Sequence, residues 1–82
     1  MAEAYVYILR CGDGSLYTGW TLDMQRRLAQ HAAGTGSRYT RSRLPVALAA
    51  SFPAADASAA RRREAEIKRM PRARKLELLE GL

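Results

Sequence analysis

The sequence predicts an α+β fold in which helices flank a three-stranded antiparallel sheet. Two segments rich in β-branched and aromatic residues, and a third after a proline, predict the strands; the stretches between and after them have helical periodicity. A length of 82 residues allows one hydrophobic core and not two. We therefore expect a single domain over residues 1–82, with its core in about residues 4–70 and a C-terminal helix in about residues 72–80.

The first two strands are predicted to form a hairpin. They are Tyr5–Arg10 and Leu16–Trp20, and the sequence Gly-Asp-Gly at 12–14 connects them. Such a connection fits either a two-residue or a three-residue loop, and the loop length sets the register of the hairpin.

The register decides where the tyrosines lie. A two-residue turn places Tyr7 and Tyr17 on opposite faces of the sheet. A three-residue loop with Gly14 in the left-handed conformation instead pairs Tyr7 with Gly19, and Leu9 with Tyr17. The sequence permits both registers, and only the second gathers the tyrosines of both strands on one face: Tyr5, Tyr7 and Tyr17.

A helix is predicted directly after the hairpin. Thr21 is the expected N-cap, and Asp23 suits the first turn. The helix should run to about Ala33 and end at Gly34.

Helical geometry separates the two arginines of this helix. Met24 and Leu28 define its buried side. Arg27 and His31 then lie about 60° and 20° from Met24, whereas Arg26 lies about 160° away. We therefore expect Arg27 at the rim of the buried side, and Arg26 in solvent.

One strand and two helices complete the predicted fold. A basic connection at 34–43 contains one helical turn at about 37–42, and the third strand, about Val46–Phe52, has Val46, Leu48 and Phe52 on one face. The next helix begins after Asp56 or Ser58, ends near residue 69 and buries Ala60, Ile67 and Met70. The last, 72–80, follows Pro71 and packs through Leu76 and Leu79. Helices on one face of the sheet would leave the other face partly open to a ligand.

The charge of the chain predicts a polyanionic partner. Fourteen Lys and Arg against eight Asp and Glu give a net charge of +6, and the isoelectric point is near 10.3. Nucleic acid is the first candidate, an anionic membrane surface the second, and a merely soluble basic surface the plain alternative.

The cysteine and histidine content limits the classes of site. Cys11 is the single cysteine and His31 the single histidine, so an intrachain disulfide and a structural zinc site within one monomer are excluded. No apolar run resembles a signal peptide or a membrane span. We therefore expect a cytoplasmic protein without a membrane-spanning segment, and we expect its partner to be nucleic acid and not a membrane.

A few residues have the chemistry that phosphodiester hydrolysis needs. Arg27 can bind phosphate oxygens through its forked donors. Glu64, about 60° from the buried Ile67 direction, points inward more than Glu66 and can hold a hydrated Mg²⁺. A tyrosine can act as general base if nearby cations lower its pKa from about 10, and His31 can position the water. Each of these residues also has a purely structural explanation, as a packing or rim side chain.

The order of these residues resembles the GIY-YIG nuclease superfamily, and in particular its small stand-alone bacterial members. Residues 5–7, Tyr-Val-Tyr, stand where the family has Gly-Ile-Tyr, and residues 17–19, Tyr-Thr-Gly, stand for Tyr-Ile-Gly. Arg27 follows Gly19 by eight residues, at the position of the catalytic arginine of the family. The resemblance extends from about Tyr5 to Met70.

The resemblance implies roles for individual residues. Tyr7 would be the general base or the phenol that orients the water, and Tyr17 its partner. Arg27 would bind the scissile phosphate, with His31 one helical turn further on, as in homing endonucleases. Glu64 would bind one divalent metal ion, Mg²⁺ or Mn²⁺.

The resemblance also implies a substrate, DNA, although the charge alone does not distinguish DNA from RNA. The side chains expected to contact nucleic acid are Arg38, Arg41, Arg43, Arg61 and Lys68. Gly19 is expected to have a structural role. We thus expect an endonuclease of low sequence specificity; a link to DNA repair or processing and a partner protein for targeting are further expectations. A catalytically inactive nucleic-acid-binding module and a protein-interaction domain are the alternatives.

Four departures from the family pattern stand out. The first motif lacks its glycine, and Thr18 replaces the isoleucine of the second. The chain contains no asparagine, a residue that many members carry beyond the glutamate helix. It also has no second DNA-binding domain, which is why low specificity is expected.

Overall fold

The α+β prediction is confirmed by a computed structural model, which describes residues 3–81. Its elements, in chain order, are β1 (Ala4–Arg10), β2 (Leu16–Thr21), α1 (Met24–Ala32), α2 (Arg38–Arg41), β3 (Ala47–Ala54), α3 (Ala57–Lys68) and α4 (Arg72–Glu80). The sheet is antiparallel with strand order β2-β1-β3, so the first strand lies in the centre. No helix within residues 3–81 is long and apolar enough to cross a membrane.

The hairpin adopts the three-residue loop. Tyr7 pairs with Gly19 and Leu9 with Tyr17, and Gly14 has a φ of 84°. Of the two registers that the sequence permits, this is the one that gathers the tyrosines of β1 and β2 on one face of the sheet.

The third strand differs from the prediction because it contains a bulge. Ile8 pairs with Ala50 but Leu9 pairs with Leu48, so one residue of β3 is left over between them. The extra residue reverses the alternation of side chains. Leu48 therefore lies on the tyrosine face and is 44% exposed, whereas Phe52 pairs with Val6 on the core face. The prediction that Leu48 and Phe52 share a face was wrong.

The main core lies between the sheet and α3. Its members are small and branched side chains from β1 and α3: Ala4, Val6, Ile8, Ala60 and Ile67. From α4, Leu78 and Leu79 pack against this core, so the prediction is confirmed for Leu79, whereas Leu78 takes the place expected for Leu76. The opposite face, which carries the tyrosines, is left to α1 and α2.

The start of α1 also corrects the prediction. Asp23, not Thr21, is the N-cap, since its side chain accepts a hydrogen bond from the backbone N–H of Arg26 at 3.1 Å. Thr21 is still part of β2, and its Oγ1 accepts from the N–H of Asp23 at 3.1 Å. The threonine thus shapes the turn into the helix. The predicted end is confirmed, because Gly34 has a φ of 83° just after the C-cap.

The remaining helices begin close to the expected residues. Ser37 caps α2 by accepting from the N–H of Thr40, and Asp56 caps α3 by accepting from the N–H of Ala59. On α3 the side chain of Glu64 is 20% exposed, whereas that of Glu66 is 56% exposed. The expected difference between the two glutamates is confirmed.

Candidate active site

The tyrosine face is built around the close contact of Tyr7 with Gly19. The two residues are cross-strand partners, and a Cβ at position 19 would lie 2.5 Å from Tyr7 Oη and 2.6 Å from Cζ. The phenol ring therefore lies directly over the glycine backbone. This contact gives the second motif glycine the structural role that the sequence suggested.

A buried chain of hydrogen bonds starts at the phenol of Tyr7. Its Oη is 2.8 Å from Nε2 of His31, and Nδ1 of His31 is 2.8 Å from Oγ1 of Thr40. The chain continues to Oγ of Ser37, 2.9 Å from the threonine hydroxyl. Tyr7 is 2% exposed, and His31 and Thr40 are fully buried. Both ring nitrogens of the histidine thus have a partner.

Gly36, Ser37 and Thr40 form the part of this site that sequence reasoning missed. Gly36 packs so closely on His31 that a Cβ there would collide with its imidazole ring. Thr40 and Ser37 were assigned no role in the site. One signal was available, since a serine three residues before a threonine fits a capped helical turn that turns a hydroxyl inward.

Burial makes Tyr7 a weaker acid than an ordinary tyrosine. Its pKa is raised from 10.0 to about 12, first by desolvation and then by the nearby Tyr17; the charge of Arg27 lowers it and that of Glu64 raises it. A general-base tyrosine was predicted only on the condition that nearby cations lower its pKa. That condition is not met, and Tyr7 is a neutral phenol at physiological pH.

His31 is neutral as well. Desolvation lowers its pKa below 6.5, and the positive charge of Arg27 lowers the pKa further. A neutral imidazole has one nitrogen that donates and one that accepts. The Tyr7–His31 pair can therefore pass a proton from the phenol to the imidazole without first losing one to solvent.

Tyr17 joins the buried pair to the surface. Its ring centroid is 6.5 Å from that of Tyr7 and 5.4 Å from that of His31. On its other side it lies 5.6 Å from the ring of Tyr39, which is 36% exposed. The aromatic cluster thus extends from the sheet to α2.

Arg27 lies at the rim of α1, as predicted, and is half-buried. Its Nη1 donates to Oε1 of Gln30 at 3.3 Å, and its charge acts on both Tyr7 and His31. The side chain lines an open groove of about 400 Å³, which also includes Trp20 and the exposed Arg26. A phosphate in this groove would meet the guanidinium of Arg27; Tyr7, Tyr17 and His31 are not among the residues that line the groove.

Glu64 approaches the same site from α3. It forms an ion pair of 3.6 Å with Lys68, and its negative charge raises the pKa of Tyr7. The link to the tyrosine is electrostatic, not a hydrogen bond. Within residues 3–81 no group of three His, Cys, Asp or Glu side chains could hold a metal ion. Any metal site here would rest on one carboxylate plus water and phosphate oxygens, a set that Mg²⁺ accepts.

The basic residues expected to contact nucleic acid are not equivalent. Arg38 and Arg41 on α2 are exposed, and Arg61 lies 5.7 Å from the ring of Trp20. Lys68 is paired with Glu64, and Arg43 is held against Tyr39. The structure thus brings Tyr7, Tyr17 and His31 together, and the charge of Arg27 acts on Tyr7 and His31. Arg61 and Lys68 lie apart from these contacts, on α3.

The fold and this site define a small nuclease-type catalytic domain. The model of the GIY-YIG catalytic domain matches residues 3–77. The chain therefore belongs to the GIY-YIG family of nucleases, which generally use divalent metals and act on nucleic acid.

Relatives and solved structures agree with this assignment. The chain is 48% identical over 80 residues to the UPF0213 protein SH2523 of Staphylococcus haemolyticus, covering 98% of each chain. The solution NMR structure of the UPF0213 protein BH0048 from Bacillus halodurans is similar with a TM-score of 0.62 and 45% identity, over 94% of this chain and 82% of that one. The solution NMR structure of the protein EF2693 from E. faecalis is similar with a TM-score of 0.64 and 36% identity, over 99% of this chain and 90% of that one.

Proposed function

We propose that this protein is a divalent-metal-dependent endonuclease that hydrolyses phosphodiester bonds in DNA with low sequence preference. The observation that carries the proposal is the buried Tyr7–His31 hydrogen bond, with the charge of Arg27 acting on both residues. The buried pair would supply a proton acceptor and Arg27 a phosphate-binding cation, the two groups that phosphoryl transfer requires.

The proposed proton path runs through the neutral phenol. Oη of Tyr7 accepts a proton from the attacking water while its own O–H proton moves to Nε2 of His31. This path uses the tautomer in which Nδ1–H donates to Oγ1 of Thr40. The imidazole ends with one added proton and the phenol is unchanged, so Tyr7 orients the water and His31 is the base.

Arg27 is the proposed phosphate-binding residue. Its forked donors match two oxygens of a phosphodiester and stabilise the additional negative charge of the transition state. Tyr17, in ring contact with both Tyr7 and His31, is proposed to close the site and position the water.

Glu64 is the residue proposed to hold the divalent metal, Mg²⁺ or Mn²⁺. Its partly buried carboxylate can exchange the 3.6 Å ion pair with Lys68 for a stronger ligand bond. When bound, the ion would neutralise charge on the phosphate and leaving oxygen. The proposed role of the Glu64 carboxylate is to hold this ion near Tyr7.

We further propose that a partner protein targets the enzyme, and that it acts in the cytoplasm in DNA repair or processing.

A non-catalytic nucleic-acid-binding module of the same fold is the second candidate function. The observation that favours it is the pair of exposed arginines on α2, Arg38 and Arg41, which would bind phosphates without any chemistry.

Nicking of a supercoiled plasmid with and without Mg²⁺ or Mn²⁺ distinguishes these functions. We expect metal-dependent nicking by the wild type, and its loss in Arg27→Ala and Glu64→Gln. Glu66→Gln, on the exposed side of α3, and Arg74→Ala, on α4, are the matched controls and should nick normally. Binding without nicking by the wild type would establish the second candidate instead, and full activity of Glu64→Gln would refute the metal ligand.

A further inference from the structure

The guanidinium of Arg43, which follows α2, is fixed in one orientation. Its Nε donates to Oδ2 of Asp13 at 3.0 Å, and Nη1 donates to the carbonyl of Tyr39 and to Oγ of Ser42, each at 3.1 Å. The N–H bonds of a guanidinium lie in its plane. These contacts therefore set the orientation of the plane and occupy two of its three nitrogens.

One face of this plane rests on an aromatic ring. Cζ of Arg43 lies 3.9 Å from the ring centroid of Tyr39. The Arg43 side chain is nevertheless 34% exposed. Because the ring covers one face of the guanidinium, the other face and the remaining nitrogen are the parts of it that a ligand could reach.

The stack is continuous with the candidate active site. The ring of Tyr39 lies 5.6 Å from that of Tyr17, with 31° between their planes, and Tyr17 lies 5.4 Å from His31. A group placed on the outer face of Arg43 would thus be separated from the buried pair only by these two tyrosines.

We propose that the outer face of Arg43 binds an unpaired nucleobase of a single-stranded DNA that is held at the candidate active site. This inference rests on the proposed endonuclease function and names its substrate class. Guanidinium planes stack on nucleobases, and a base must be unstacked from its neighbours to offer a free face. A paired duplex has no such base, so the platform selects single strands.

This assignment changes the role expected for Arg43. As a backbone contact it would grip a phosphate with two of its nitrogens, but Asp13, Tyr39 and Ser42 already occupy Nε and Nη1, which leaves only Nη2 for that purpose. Stacking needs only the planar face, which these contacts leave open. The exposed Arg38 and Arg41 are then the nearby contacts for the phosphates.

Binding without catalysis tests the platform. In EDTA, a single-stranded oligonucleotide with a fluorescent adenine analogue is titrated with wild-type protein and with Arg43→Lys, which keeps the charge but not the plane. We expect the wild type to quench the analogue, and Arg43→Lys to bind roughly tenfold more weakly with the quenching lost. Arg74→Lys, on α4, is the matched control and should bind and quench like the wild type.

A second variant separates stacking from charge. Asp13→Asn leaves Arg43 intact but replaces the charged acceptor of its Nε by a neutral amide oxygen, which holds the guanidinium less firmly. The variant gains one positive charge, so a purely electrostatic contact would bind more tightly, whereas loss of the fixed plane predicts weaker quenching. Circular dichroism and thermal melting establish that both variants are folded before they are titrated.

The results that overturn the proposal are distinct from those that overturn the endonuclease. Unchanged quenching in folded Arg43→Lys or Asp13→Asn refutes the platform, as does an equal loss of affinity for single strands and for a fully paired duplex. Neither result depends on cleavage. Failure of the wild type to nick DNA with metal would refute the endonuclease while leaving the binding result intact.

Discussion

Tyr7 combines two properties that ordinary tyrosines do not share. Its phenol is buried, and its hydroxyl has a histidine partner at 2.8 Å. Burial explains why its pKa is raised to about 12 although Arg27 is near. The resting state of Tyr7 is therefore the neutral phenol and not the phenolate. In the chemistry we propose, the phenol gives its proton to His31 at the same time as it receives a proton from the attacking water.

The raised pKa predicts how stability depends on pH. In the unfolded chain Tyr7 titrates near 10, and in the folded protein near 12. The stabilisation of the neutral phenol is thus complete below pH 10 and is lost as the pH rises from 10 towards 12. We expect the loss to be on the order of 2 kcal/mol in the free energy of unfolding.

Urea unfolding at several pH values in this range measures the effect, and Tyr7→Phe is the control because it removes the titrating group. A wild-type protein whose stability does not fall relative to Tyr7→Phe between pH 10 and 12 would contradict the raised pKa. Tyrosinate absorbance gives an independent measure of the same titration.

At the residue scale, much of the site could be predicted because it follows from periodicity. Helical angles placed Arg27 at the rim and Arg26 in solvent, and the same argument separated Glu64 from Glu66. Thr40 could not be predicted in this way. Its hydroxyl reaches His31 only because α2 folds back across the sheet, which is a tertiary arrangement and leaves no local periodic signal.

At the scale of elements, the β1–β2 pair depends on one small residue. A Cβ at position 19 would lie 2.5 Å from Tyr7 Oη, so Gly19→Ala must displace the ring or the strand. We expect a loss of about 1–3 kcal/mol in the free energy of unfolding, together with loss of nicking. Chemical denaturation measures the first and the plasmid assay the second.

Gly81→Ala is the comparison for this prediction, because a Cβ there would meet its nearest atoms at an ordinary 3.6 Å. Its stability should be close to that of the wild type. If Gly19→Ala were equally stable and active, Tyr7 would not need to lie over the glycine backbone.

The short helix α2 is expected to act through His31. In Thr40→Val the shape is kept, but Nδ1 of the buried imidazole loses its partner. The unpaired nitrogen should cost about 1–3 kcal/mol of stability. Cleavage should also slow, because the tautomer that accepts the proton of Tyr7 is no longer favoured.

Rescue by the conservative variant distinguishes this role from packing. Thr40→Ser restores the hydroxyl without the methyl group, so it should recover most of the cleavage rate even if it stays less stable. If Thr40→Ser recovered neither the cleavage rate nor the stability, or if Thr40→Val were fully active, the hydroxyl would not position His31. The rates are compared at a temperature at which all variants are folded.

Among the strands, the pairing of the hairpin could be predicted in part, whereas the irregularity of β3 could not. The hairpin could be narrowed to two registers, because turn chemistry and tyrosine alternation limit the choices. The bulge in β3 could not be found, since it arises from how that strand meets the central one at Ile8 and Leu9. One extra residue was enough to move Leu48 to the other face.

At the scale of the whole molecule, the main feature is the net charge of +6. In the structure, some of the arginines form ion pairs and others are exposed. Arg63 pairs with Glu66 and Arg74 with Glu77, whereas Arg38 and Arg41 are exposed on α2 beside the aromatic cluster. Binding should therefore depend on where a positive charge lies and not only on the total.

Salt dependence tests this distribution. Each phosphate contact that a protein makes contributes about 0.7–0.9 to the slope of log affinity against log salt concentration. We expect Arg41→Gln to lower the magnitude of the slope by roughly that amount, because α2 lies next to the proposed path of the strand. Arg74→Gln changes the net charge equally but lies on α4, so its slope should match that of the wild type. Equal reductions in both variants would mean that binding responds to the net charge, and that no local path along α2 exists.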